Sequence, residues 1–183
     1  MQRISVLLFL SVFCSASAIQ AQAQAPKPDP EVKKLHAWVG NWMVEGEIKA
    51  GPLGPAGKHS GEMTCQMVLG GFFLQCRWTD RGPAGDTRGL EVDGYDPVNK
   101  DFSSEIYFEG GGRFSGMLTI AGNTWTYAGK WTVAGKQYQL KDSYTFAPDL
   151  TSATQTAEFS TDGNTWTPFV ISKWTKVKLA PKK

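Results

Sequence analysis

From Trp42 almost to the C-terminus, side chains alternate in character with a period of two, broken only by short turn signals. Trp42, Val44, Gly46 and Ile48 interleave with Met43, Glu45, Glu47 and Lys49, the pattern of a half-buried strand. Later runs place Phe102, Ser104, Ile106 and Phe108 on one face, then Trp125, Tyr127, Gly129 and Trp131, then Tyr138, Leu140, Asp142, Tyr144 and Phe146. Turn signals at Gly110 to Gly112, Ala121 to Asn123, Ala134 to Gly135 and Asp162 to Asn164 separate such runs. The spacing predicts roughly ten strands. Short hairpin connections favour an antiparallel up-and-down meander, and closure into a barrel removes the edges an open sheet would expose. The expected fold is therefore all-β, an antiparallel up-and-down barrel of roughly ten strands. GNTWT occurs at Gly122 and again at Gly163, each copy followed by KWT, which reads as two similar hairpins. STDGNTW is one residue short of the Asp box of sialidase-like propellers and occurs once, so it does not support a bladed fold.

The N-terminal part differs. Residues 1–23 combine Arg3, an apolar run from Ile4 to Phe13 and small-residue cleavage patterns at Ala16 to Ala18 and Ala21 to Ala23, the signature of a secretory signal peptide. Phe13 and Val12 before Cys14 disfavour a lipid-bearing cysteine. Residues 24–30, QAPKPDP, form a Pro-rich leader. In EVKKLHAWVGNW the apolar residues recur at helical spacing, which predicts a short helix of two or three turns ending near Gly40. The barrel domain is expected over residues 31–178, with a basic tail at 179–183, and the protein to be periplasmic or secreted. The chain of 183 residues has 19 Lys and Arg against 17 Asp and Glu. Loss of Arg3 with the leader leaves 18 against 17, a net charge of +1. So even a balance gives no electrostatic footprint for nucleic acid, and no segment is long and apolar enough for a membrane-spanning helix.

The two cysteines beyond Cys14 lie in CQMVLGGFFLQC, Cys65 to Cys76. Gly70 and Gly71 are a two-residue turn signal, because glycine tolerates positive φ. That turn would oppose Leu69 to Phe72, Val68 to Phe73, Met67 to Leu74, Gln66 to Gln75 and Cys65 to Cys76, with Cys65, Met67, Leu69, Phe72, Leu74 and Cys76 on one apolar face. Directly opposed residues are close enough for a disulfide, and an exported chain meets oxidising conditions. A disulfide is expected, rather than a metal or redox site.

The opening helix followed by Gly40, Asn41 and Trp42 resembles the GxW motif of lipocalins, in which a helical turn closes one end of the barrel over the tryptophan and a basic residue of the last strand covers it. Lys173 and Lys176 are the candidates for that residue. VGNW, VLGGFFLQ, GYDPVNK (Gly94 to Lys100) and STDGNTW together resemble an uncharacterised family of exported bacterial domains, lipocalin-like (calycin) in fold and known as a domain of unknown function. The resemblance covers residues 32 to 177. It implies a fold and supplies no catalytic residues.

Candidate chemistry is sparse. His36 lies in the predicted helix and His59 in the Gly-rich segment Gly51 to Gly61, neither with a partner at metal-ligand spacing. Both are expected as surface or capping residues, and the Gly-rich segments Gly51 to Gly61 and Glu109 to Arg113 as loops and turns. No nucleophile elbow, phosphate loop or dinucleotide fingerprint is present. Asp142 stands out because it interrupts an aromatic face. An inward carboxylate must be hydrogen-bonded, paired or neutral; a strand irregularity near Ala134 and Gly135 could instead turn it outward. Ser104, Gln155 and Ser172 fall on comparable inward positions. Polar groups among aromatics suit a cavity better than a solid core.

The expected ligand-binding residues are Trp78, Ser104, Phe108, Trp131, Tyr138, Asp142, Tyr144 and Gln155. The expected function is binding of a small apolar molecule inside the barrel. The alternatives are an envelope protein-interaction module and an enzyme using Asp142 as acid or base. No cofactor, metal or catalytic residue is expected, and oligomeric state is not legible.

Overall fold

The alternation becomes ten antiparallel strands in a computed structural model, which describes residues 26–52 and 54–178. The expected signal peptide at residues 1–23, with Cys14, and the tail at 179–183 lie outside the described residues. The strands are β1 (Gly40–Ile48), β2 (Gly57–Val68), β3 (Phe73–Gly82), β4 (Gly85–Asp96) and β5 (Asp101–Phe108), then β6 (Arg113–Ala121), β7 (Thr124–Val133), β8 (Lys136–Phe146), β9 (Ser152–Ser160) and β10 (Thr167–Val177). Each pairs with its neighbours in sequence, and β10 returns to pair with β1. The meander closes and leaves no sheet edge. The three faces singled out in the sequence all turn inward, with Phe114 and Leu118 of β6 buried among them.

The opening helix has the expected two to three turns but is wound more tightly than helical spacing suggested. It is a 3-10 helix, Pro30–Ala37, capped by the Asp29 carboxylate, which accepts from Glu31 N at 2.8 Å. In a 3-10 helix residues three apart align on one line. Val32, Leu35 and Trp38 are such a series, and all three are buried. This winding lays a narrow apolar ridge across one end of the barrel.

Trp38 plugs that end. Its ring centroid lies 4.8 Å from Phe146 and 5.0 Å from both Trp42 and Tyr144. Beneath it the Trp42 indole N–H donates to the Trp38 carbonyl at 2.7 Å. Lys176 covers Trp42, with Nζ 4.9 Å from the ring centre and donating to the Ala37 carbonyl at 3.2 Å. Lys173 is exposed and plays no part.

Cys65 and Cys76 are paired across β2 and β3 and disulfide-bonded. The register from Cys65 through Val68 opposite Phe73 is as expected. The turn is not. Leu69 as well as Gly70 and Gly71 takes positive φ, at 51°, 71° and 90°, so the connection widens to four residues and the Leu69 to Phe72 pair does not form. Leu69 is consequently 74% exposed rather than inward. The Gly-rich segment Gly51 to Gly61 is likewise only partly a loop, since β2 begins at Gly57.

Candidate functional site

The barrel is packed at the helix end and hollow beyond it. A cavity of about 160 Å³ lies among inward side chains of nearly every strand. A smaller chamber of about 30 Å³ continues toward Trp38 and shares Met63, Glu91, Ile106, Leu140, Asp142 and Tyr144 with it. Of the residues expected to bind ligand, Trp78, Phe108, Trp131, Asp142, Tyr144 and Gln155 line the larger cavity. Ser104 and Tyr138 do not line either chamber. Ser104 is fully buried on β5, and Tyr138 packs on Trp131 and Phe159 at centroid distances of 5.8 and 5.7 Å.

Asp142 points inward, held by neutral donors. Tyr144 Oη donates to Oδ2 at 2.9 Å, and Gln155 Nε2 lies 3.0 and 2.9 Å from its two oxygens. Gln155 is oriented in turn by the Trp174 indole N–H, which donates to Oε1 at 2.9 Å. Three strands therefore converge on one carboxylate. Burial pushes Asp142 up to about 6, against the Gln155 and Tyr144 hydrogen bonds that favour its charged form.

Two further acids were not singled out in the sequence. Glu91 lines both chambers, and Asp93, two residues along β4, is fully buried. In GLEVDGYD, hydrophobicity alone would turn Leu90 and Val92 inward. Register decides otherwise. Glu91 stands opposite Cys76 on β3 and Ile106 on β5, and Asp93 opposite Leu74 and Ser104, inward residues in every case. Burial raises Glu91 well above the usual carboxylate range, and the charge of Asp93 beside it raises it further. Burial pushes Asp93 up to about 6, although Ser104, Glu91 and Tyr127 favour its ionised form. Tyr127 Oη reaches Asp93 Oδ2 at 3.3 Å, while Asp93 Oδ1 and Ser104 Oγ make no hydrogen bond of good geometry. The Tyr127 and Tyr144 phenols are raised well above 10, chiefly by burial, and stay protonated donors.

His59 is neither at the surface nor a cap. It is 5% exposed and faces the interior from β2. Nδ1 lies 2.8 Å from Asp80 Oδ2, and Nε2 lies 2.6 Å from Ser172 Oγ. Gly46 of β1 stands between His59 and Ser172 in register. A Cβ there would come 2.5 Å from Ser172 Oγ and 2.3 Å from the Ile171 carbonyl, so only glycine lets the imidazole cross β1. The Asp80, His59 and Ser172 order is that of a nucleophile relay. His59 and Asp80 line the cavity, but Ser172 does not, and the contact ties β3, β2 and β10 together across β1. The signal in the sequence was His59 at an inward alternation step from Gly61 and Met63.

Among the described residues, no three His, Cys, Asp or Glu side chains are grouped as metal ligands. No helix among them is long and apolar enough to cross a membrane.

Residues 27–176 match a family model described as "Protein of unknown function (DUF1579)". No curated protein matches the chain. Among solved structures, the chain is similar to the crystal structure of Rv2717c from M. tuberculosis, at 12% identity and TM-score 0.61 over 83% of this chain and 100% of that one. It is also similar to the S-type phycobiliprotein lyase CPES from Guillardia theta, at 9% identity and TM-score 0.53 over 81% of this chain and 93% of that one. Both likenesses are of fold, a lipocalin-like barrel.

Proposed function

The chain belongs to the DUF1579 family; from that premise and the interior described above, we propose that it binds a small, largely apolar molecule inside its barrel. The observation that carries this reading is the cavity itself. Protein interiors are close-packed, and this one is packed by aromatic rings at the helix end yet keeps about 160 Å³ free beside them. An apolar cavity of about 150 Å³ is enough to take up benzene. Trp78, Phe108, Trp131 and Phe169 supply aromatic wall, and Asp142 with Gln155 supplies a fixed polar point. A few polar groups in an apolar cleft are the usual make-up of a small-molecule site.

Three tryptophans line the cavity, so the test is optical. Small apolar probes titrated against the protein should change tryptophan fluorescence saturably at one site, and native mass spectrometry should show a stoichiometric adduct on protein purified from its own compartment. A linear, unsaturable response with no adduct would reject the reading.

Export is part of the proposal. The Cys65–Cys76 disulfide suits an oxidising compartment, and residues 1–23 read as a cleaved leader before a barrel domain at 31–178. N-terminal sequencing should find the mature chain starting after Ala18 or Ala23. An intact Met1 on protein from the cytoplasm would refute export.

A further inference from the structure

The carboxylates of the cavity lack a counter-charge from the protein. Glu91 and Asp142 line both chambers, with Asp93 buried beside Glu91. No lysine or arginine lines either chamber among the described residues. The one base present, His59, is engaged by Asp80 and Ser172. Asp142 is held only by a phenol and an amide. Buried charges are ordinarily paired, because an unpaired one is very costly. Here the network that fixes Asp142 holds an acceptor in place without neutralising it.

Two buried polar atoms add an independent observation. Asp93 lines neither chamber but is fully buried beside Glu91, and its Oδ1 has no hydrogen-bond partner. Trp131 is 2% exposed, lines the larger cavity, and its indole N–H is also unpartnered, a donor that marks this wall as a ligand contact without itself calling for a cation. Unpaired buried groups are rare in folded proteins and need an explanation. The wall around them is aromatic, and ring faces attract cations. Among the described residues the acids are not grouped as metal ligands.

We propose that the cavity takes a small organic cation, an amine or ammonium group on an apolar body, with the positive end against Asp142 and Glu91 and the body against the aromatic wall. The proposal rests on the reading of the interior as a small-molecule site and names its ligand class. Burial disfavours the charged forms of Glu91 and Asp142, and a bound cation would favour them, releasing protons to solvent. The titratable groups around Asp142 are Glu91 from β4, with Asp93 beside it, Tyr127 opposite on β7 and Tyr144 from β8; His59 and Asp80 complete the cavity wall. All except His59 are acids or phenols, so affinity for a cation should fall as pH drops below about 6.

The experiment compares three probes of one size and different charge: benzylamine, benzyl alcohol and benzoate, titrated against the mature protein at pH 7.5 by calorimetry. Benzylamine should bind at least tenfold tighter than benzyl alcohol, and benzoate more weakly than either. Asp142→Asn and Glu91→Gln, made singly and together and checked for folding by near-UV circular dichroism, should each cut benzylamine affinity at least tenfold and narrow its preference over benzyl alcohol. Equal or tighter binding of benzyl alcohol would overturn the cation while leaving the cavity a binding site. So would undiminished amine binding by both folded variants. If none of the three binds, the interior is not a small-molecule site and both readings fall together.

Discussion

Asp142 and Asp162 are aspartates perturbed in opposite directions, and their consequences for stability oppose each other. Asp142 rises from 3.8 to about 6 because it is buried. Its native state therefore holds a proton that the unfolded chain has released, and stability falls as pH climbs from about 4 to about 6, then levels off. Asp162 is lowered to about 2 by the backbone N–H groups of Thr165 and Asn164 and by the Ser160 hydroxyl. Its contribution is present above about 4 and lost as pH falls toward 2. Urea midpoints measured from pH 4 to 7 should decline for the native chain, and Asp142→Asn should flatten that decline by about 2 to 3 kcal/mol, at about 1.4 kcal/mol per pKa unit. Identical slopes in the two proteins would show that Asp142 is not a buried acid. Asp162→Ala should instead lower stability by a constant amount across this range, leaving the slope unchanged, and the loss should disappear as pH falls toward 2. Asp142 was legible in the sequence because it breaks an aromatic face. Glu91 and Asp93 were not, because Leu90 and Val92 offer a more hydrophobic alternative face and only pairing with β3 and β5 overrules it.

Elements show the same division between local pattern and pairing. The symmetric run around Gly70 and Gly71 set the Cys65 to Cys76 register, since turn and side-chain matching agree on it. The turn itself was misjudged by two residues because Leu69 adopts a positive φ that favours glycine. Replacing both cysteines with alanine should still cost about 2 to 3 kcal/mol by loop-closure entropy. Denaturant curves with and without reductant would show it; a double variant as stable as the native protein would mean the staple is superfluous. His59 reads in the sequence as a surface or capping residue because the glycines around it imitate a loop. Gly46 is its necessary partner. Gly46→Ala should destabilise the barrel by about 1 to 3 kcal/mol through overpacking. Adding Ser172→Ala should not rescue it, since the Ile171 carbonyl remains 2.3 Å from the new methyl. Full rescue, read from thermal melts, would place the clash on the hydroxyl alone.

At the scale of the whole molecule, closure was legible and the cavity was only partly so. Ten alternating runs with short turns leave few ways to satisfy every edge, so the barrel follows from pattern. Whether its interior is filled depends on summed side-chain volumes across strands distant in sequence, which alternation does not report. Small residues decide it locally: Ala157 of β9 stands opposite Asp142, is buried, and lines the larger cavity. A void kept for a ligand is a place where stability and function oppose each other, because filling it restores packing contacts and removes the site. Ala157→Leu should therefore raise or preserve the unfolding free energy, by up to about 1 kcal/mol, while lowering affinity for any probe of the cavity at least tenfold. A space without a role would permit the first change with no second. A site elsewhere on the barrel would leave probe binding intact, so the paired measurement of urea midpoint and probe affinity on this one variant separates a retained binding cavity from a packing defect.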